Sequence, residues 1–123
     1  MKANELRLGN LIYDIPERGG KIISVNKVWI DDDGESLYFD LCNPIPLTEE
    51  WLIKFGFVKT DEGYITRTWK ENDLNVILTS KHAVVSSAGN FGLVYFKPIK
   101  CVHQLQNLYF TLTGQELEIN EKV

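Results

Sequence analysis

The chemistry open to this chain of 123 residues rests first on four side chains, Cys42, His82, Cys101 and His103, which are all of its cysteines and histidines. Structural zinc sites draw such residues in close pairs, C-x2-4-C and H-x3-5-H, because a short loop then carries both ligands to one ion. Here the cysteines stand 59 positions apart, and no pair has that spacing. Cys101 and His103, two positions apart, diverge by about 200° on a helix, so they reach one ion only if the helix starts after them. The other arrangement on offer is His82 or His103 acting as base to Cys42 or Cys101. Neither cysteine sits in a hydrolase-like signature, and an isolated cysteine is typically a small buried hydrophobe. The chain is therefore assigned no catalytic residue, no metal ligand and no cofactor. The start, MKANELRLGN, lacks the apolar core of an export signal, so both thiols are expected to be reduced and the protein cytoplasmic.

Three further stretches could carry chemistry. Asp31, Asp32 and Asp33 run consecutively before Gly34, whereas an EF-hand loop alternates its acidic ligands before the glycine and places a Glu six residues after it. A solvated hairpin turn explains them. SSAGNFG, residues 86–92, lacks the lysine and glycine spacing of a phosphate loop and is expected to join two strands, with Ser86, Ser87 and Asn90 as candidate small-ligand contacts. YITRTWK interleaves aromatic and basic residues as a single-strand nucleic-acid platform would. On a strand, however, Tyr64, Thr66, Thr68 and Lys70 share one face and Ile65, Arg67 and Trp69 the other, so neither face is a clean platform.

The elements that must position these residues are legible from punctuation and periodicity. Up to residue 46 the chain reads as short strands broken by turns, a small barrel or hairpins, with SLYFDLC alternating apolar and polar positions. NPIPLTEEWLIKFGF then predicts a helix over residues 49–55, with Thr48 as N-cap, Glu49 and Glu50 in the first turn, Leu47 and Leu52 at staple spacing, and Gly56 at the left-handed C-terminal position. Strands with short polar connections follow, which favours an antiparallel meander. A second helix is expected over residues 100–113, ended by Gly114. Val102, Leu105, Leu108, Tyr109 and Leu112 make its apolar stripe, Gln104, Asn107 and Thr111 the opposite side, and His103, Gln106 and Phe110 a third, mixed face. QELEINEKV adds an edge strand or frays. The expected fold is α+β: a strand-rich N-terminal part plus an antiparallel sheet of about four strands, with two helices packed on one face. Residues 1–123 form a single domain with subregions 1–46 and 47–123, the latter in the order α-β-β-β-β-α.

Hydrophobic residues make up 44% and charged residues 24% of the chain, the balance of an ordered globular protein. Thirteen Lys plus Arg against seventeen Asp plus Glu give a formal charge of -4, which disfavours nucleic acid, and no stretch approaches the roughly 20 apolar residues of a membrane span. MKANELRLGN, PIPLTEEWLIKFGF and VHQLQNLYFTLTGQEL together resemble a family of small proteins of uncharacterised function from Bacteroides-type gut bacteria, their prophages and mobile elements. That resemblance transfers no residue role. It implies an accessory protein of a phage or mobile element, acting on host machinery or defence. The leading expectation is thus a non-enzymatic protein that binds a host protein or a second copy of itself, with Trp29, Trp51, Phe110, His103 and Gln106 as candidate contact residues. The alternatives are a small-ligand or nucleotide-binding module with a pocket between sheet and helix, and single-stranded nucleic-acid binding.

Overall fold

The computed structural model describes residues 6–7, 9–14, 16, 19–25, 42–61, 65–69, 72–89 and 92–119; Trp29, Asn90, the 31–34 turn and the 36–41 strand expectation lie outside them. The fold is α+β, with a two-stranded and a five-stranded antiparallel sheet and two helices. Among the described residues no helix is long and apolar enough to cross a membrane. The chain forms two compact units, Met1–Pro46 with Cys101–Leu108, and Leu47–Lys100 with Tyr109–Val123.

In the first unit β1 (Leu11–Tyr13) pairs with β2 (Ile22–Ser24), Ile12 opposite Ile23. The connection turns on Gly19 and Gly20, both at positive φ (93° and 61°), a conformation that penalises any residue with a Cβ. Tyr13 also exchanges backbone hydrogen bonds with Asn43. Ile12, Ile45, Val102 and Leu105 are fully buried. Beside this apolar set lies an interlocked polar network. The Asn10 and Arg7 side chains both donate to Asn107 Oδ1 at 2.9 Å, the Leu11 amide donates to Gln106 Oε1 at 2.8 Å, and Gln106 Nε2 donates to the Gly9 carbonyl at 3.3 Å. Paired in this way, Asn10 and Gln106 can sit at 0% and 3% exposure without the cost of an unsatisfied amide.

The second unit opens with α1 (Glu49–Lys54), capped at both ends by its own sequence. Trp51 N–H donates to Thr48 Oγ1, and Leu47 and Leu52 are buried at staple spacing. At the other end the Gly56 amide bonds the Ile53 carbonyl and the Phe57 amide bonds the Leu52 carbonyl, the paired 5→2 and 6→1 bonds of a Schellman motif, with Gly56 at φ 89°.

The sheet runs in the order β3 (Val58–Lys59), β4 (Ile65–Trp69), β5 (Asn72–Leu78), β6 (Ala83–Gly89) and β7 (Gly92–Tyr95), every neighbour antiparallel. It has five strands where the sequence predicts about four, β3 being only two residues long. Register places Ile65, Val76 and Val85 on one face, all at most 5% exposed, together with Arg67, Leu74 and Ser87. Both helices contribute to that face. Arg67 Nη1 donates to the Phe55 carbonyl at 2.8 Å, and its Nε donates to the Tyr109 hydroxyl at 3.3 Å.

α2 is Val102–Thr113, starting two residues later than the periodicity predicts. Backbone pairing holds Cys101 in extended geometry opposite Pro46, and the Val102 amide donates to Ile45 O, so helical hydrogen bonding begins only after Cys101. The Cys101 amide in turn donates to Gln104 Oε1 at 3.3 Å, the N3-to-N-cap half of a capping box. Gly114 ends the helix at φ 73°. Residues 115–119 form no strand, although Leu117 is buried.

Candidate functional site

The late helix start overturns one expectation about the cysteine and histidine. Because Cys101 precedes the helix, its side chain is not bound to the 100° helical step, and its Sγ lies 3.9 Å from His103 Nε2. The two do meet. They are 7% and 3% exposed, however, and among the described residues no group of three or more His, Cys, Asp or Glu is placed to hold a metal ion. A nucleophile must reach its substrate, and this pair is closed off by the chain around it. Cys42 is 2% exposed and also a free thiol. His82 sits in the β5–β6 turn, where its amide donates to Thr79 Oγ1 and its carbonyl accepts from the Thr79 amide and hydroxyl.

Three expected contact residues also prove to be interior. Trp51 is 8% exposed, with its ring 5.8 Å from that of Phe55 and Lys54 Nζ 4.9 Å from its centroid, so the indole is a core wedge with a cation laid over it. His103 and Gln106 are each 3% exposed, the Gln106 carboxamide being held by the Leu11 amide and the Gly9 carbonyl. Phe110 is on the surface, at 39% exposure. Ser86 and Ser87 do not converge on one ligand. Both lie inside β6 and not in a loop, so their side chains point to opposite faces of the sheet.

What the second unit does contain is a concavity of about 310 Å³ on the helix-bearing face of the sheet. Leu74 and Ser87, paired across β5 and β6, form its floor with Val94, which pairs with Ser87 from the other side. Phe96 on the sheet side and Tyr109 and Leu112 on α2 complete the apolar wall. Asn72 and Thr113 supply polar groups, and among the described residues none that lines it is charged. Among the described residues, Ser87 is the expected ligand contact found there. Sequence reasoning misses the others because α2 is brought over β6 and β7 only by tertiary packing; period-2 alternation through Asn72, Leu74, Val94 and Phe96 is the signal that could have found them.

The rim of this hollow is β7, the last strand of the sheet. Gly92, Leu93, Val94 and Tyr95 are all exposed, the last three at 56%, 50% and 67%. The Phe96 amide donates to the Val85 carbonyl, which in an antiparallel ladder makes Ser87 and Val94 a mutually bonded pair as well. By the same alternation the peptide groups of Leu93 and Tyr95 point away from β6, and among the described residues no strand pairs with that side. The opposite edge is different: β3 is two residues long and carries Lys59 in an ion pair with Glu49 at 3.0 Å. Short length and a lysine are common protections of a sheet edge, and β7 carries neither a charge nor a proline.

No family model matches this chain, and no curated protein or solved structure matches it either.

Proposed function

We propose that this protein is a non-enzymatic binding protein that takes an extended segment of a partner protein onto the outer edge of β7. The observation that carries this reading is the edge itself, a neutral, apolar, exposed strand with two residues whose peptide groups face outward. Strand addition gains affinity from main-chain hydrogen bonds and selectivity from alternate side chains. A segment added beside β7 would carry every second side chain onto the face that holds the 310 Å³ hollow. The resemblance of the two ends and centre of the chain to proteins of prophages and mobile elements supports an accessory role, with a host protein as the partner.

The test is selection from a displayed library of short linear peptides, followed by amide exchange on the peptide complex. The reading expects enriched peptides with alternating apolar residues, slowed exchange at the Leu93 and Tyr95 amides, and loss of binding in Leu93→Lys, which adds a charge to the edge while leaving the core-facing strand side untouched. Peptides that bind without protecting those two amides would overturn it. A dimer that Leu93→Lys dissociates would put a second copy on this edge in place of a host protein.

A further inference from the structure

The hollow behind β7 has a feature that strand addition does not require. Asn72 and Ser87 both line it from the sheet side. Leu74 pairs with Ser87, and Asn72 is two residues from Leu74 on the same strand face, so the two polar side chains are diagonal neighbours on adjacent strands. The Asn72 carboxamide leans across β6 where Gly89 leaves room for it; a Cβ at Gly89 would collide with Asn72 Oδ1. Among the described residues, neither the Asn72 amide nor the Ser87 hydroxyl hydrogen-bonds to protein. The Thr113 hydroxyl, by contrast, is committed to the Tyr109 carbonyl at 2.8 Å.

One side of the hollow therefore offers a donor-acceptor amide and a hydroxyl, while Leu74, Val94, Phe96, Tyr109 and Leu112 make the rest apolar. We infer that it is a binding site for a small neutral amphiphile, with its apolar body against Leu112 and Phe96 and an uncharged hydroxyl or amide head on Asn72 and Ser87. The volume of about 310 Å³ falls at the lower end of the roughly 300–1,000 Å³ typical of small-molecule pockets, so the ligand is small. The neutrality of the head follows from the described lining, which carries no charge. Arg67, on the same sheet face, is engaged by the Phe55 carbonyl and the Tyr109 hydroxyl, so a carboxylate or ammonium brought here would lose water and gain no ion pair from the lining. The inference is independent of strand addition on β7, since its determinants are Asn72, Ser87 and Leu112 and not the outward peptide groups of that strand.

The experiment uses octan-1-ol and octanamide as probes, with octanoate and octylammonium as charged counterparts of the same chain length. The two neutral probes are expected to bind saturably by NMR titration, with shifts confined to the lining residues. At roughly ten times its Kd, either should raise Tm by about 5 °C. The charged pair should bind at least about tenfold more weakly. Ser87→Ala should weaken the neutral probes by about three- to tenfold, the worth of one neutral hydrogen bond, and Leu112→Trp should abolish binding by filling the hollow. Because the tryptophan variant tests folding as well as occupancy, Ser87→Ala carries the decision where Leu112→Trp is unfolded. Equal binding of charged and neutral probes, an unchanged affinity in Ser87→Ala, or no saturable binding at all would each overturn the site and leave strand addition on β7 standing.

Discussion

Thr66 shows what single residues cost in this fold. Its Oγ1 is buried and meets no hydrogen-bond partner. A buried hydroxyl left without a partner costs on the order of 1–3 kcal/mol, and valine has nearly the same shape with an equal or better preference for a strand. Thr66→Val is therefore expected to stabilise the protein by about 1 kcal/mol, read as a rise in the urea midpoint at unchanged slope; a lower midpoint would show that the hydroxyl is satisfied in solution. At the same scale the sequence exposes residue types but not their partners. His103, Gln106 and Cys101 all carry polar or reactive atoms, which invites a surface or chemical reading. The burial of Gln106 depends on Gly9 and Leu11, about 95 positions away along the chain, whose backbone groups hold its carboxamide from both sides. No local pattern encodes that pairing. The same holds for Cys101, freed from the helical step by a backbone bridge to Pro46.

At the scale of elements the sequence is far more legible, because caps and turns are local physics. Thr48, the first-turn glutamates and Gly56 predict α1, and it spans Glu49–Lys54 with those residues in those roles. The antiparallel meander likewise follows from short connections that admit no crossover. What local signals do not reveal is why Gly56 matters twice. It holds φ 89°, and a Cβ there would collide with the Arg67 guanidinium. That guanidinium binds the Phe55 carbonyl at the end of α1 and lies 5.4 Å from the Tyr109 ring centroid. Gly56→Ala thus combines left-handed strain with displacement of the arginine that ties α1 and Tyr109 to the sheet. The expected loss is about 2 kcal/mol, measured by urea unfolding. In an Arg67→Ala background the collision is gone and only the backbone strain remains, so the same substitution should cost about half as much. An equal cost in both backgrounds would remove the steric part of this account.

For the whole molecule the decisive property is charge. A net charge of -4 leaves protein and nucleic-acid partners as separable cases, since each phosphate contact releases counterions and gives affinity a steep salt dependence. The proposed interface works otherwise. β7 contributes backbone hydrogen bonds and the apolar side chains of Leu93, Val94 and Tyr95, with no charge on the strand, and main-chain and apolar contacts are little affected by ionic screening. For an uncharged peptide bound at this edge, Kd should therefore change by less than about twofold between roughly 50 and 500 mM NaCl, measured by titration calorimetry. A single-stranded oligonucleotide making even about six phosphate contacts would lose on the order of a thousandfold or more over a comparable range. The two partners are thus told apart by slope, whichever sequence is preferred. A peptide affinity that collapses with salt would mean that charges on the strands or helices around β7, and not its edge, hold the partner.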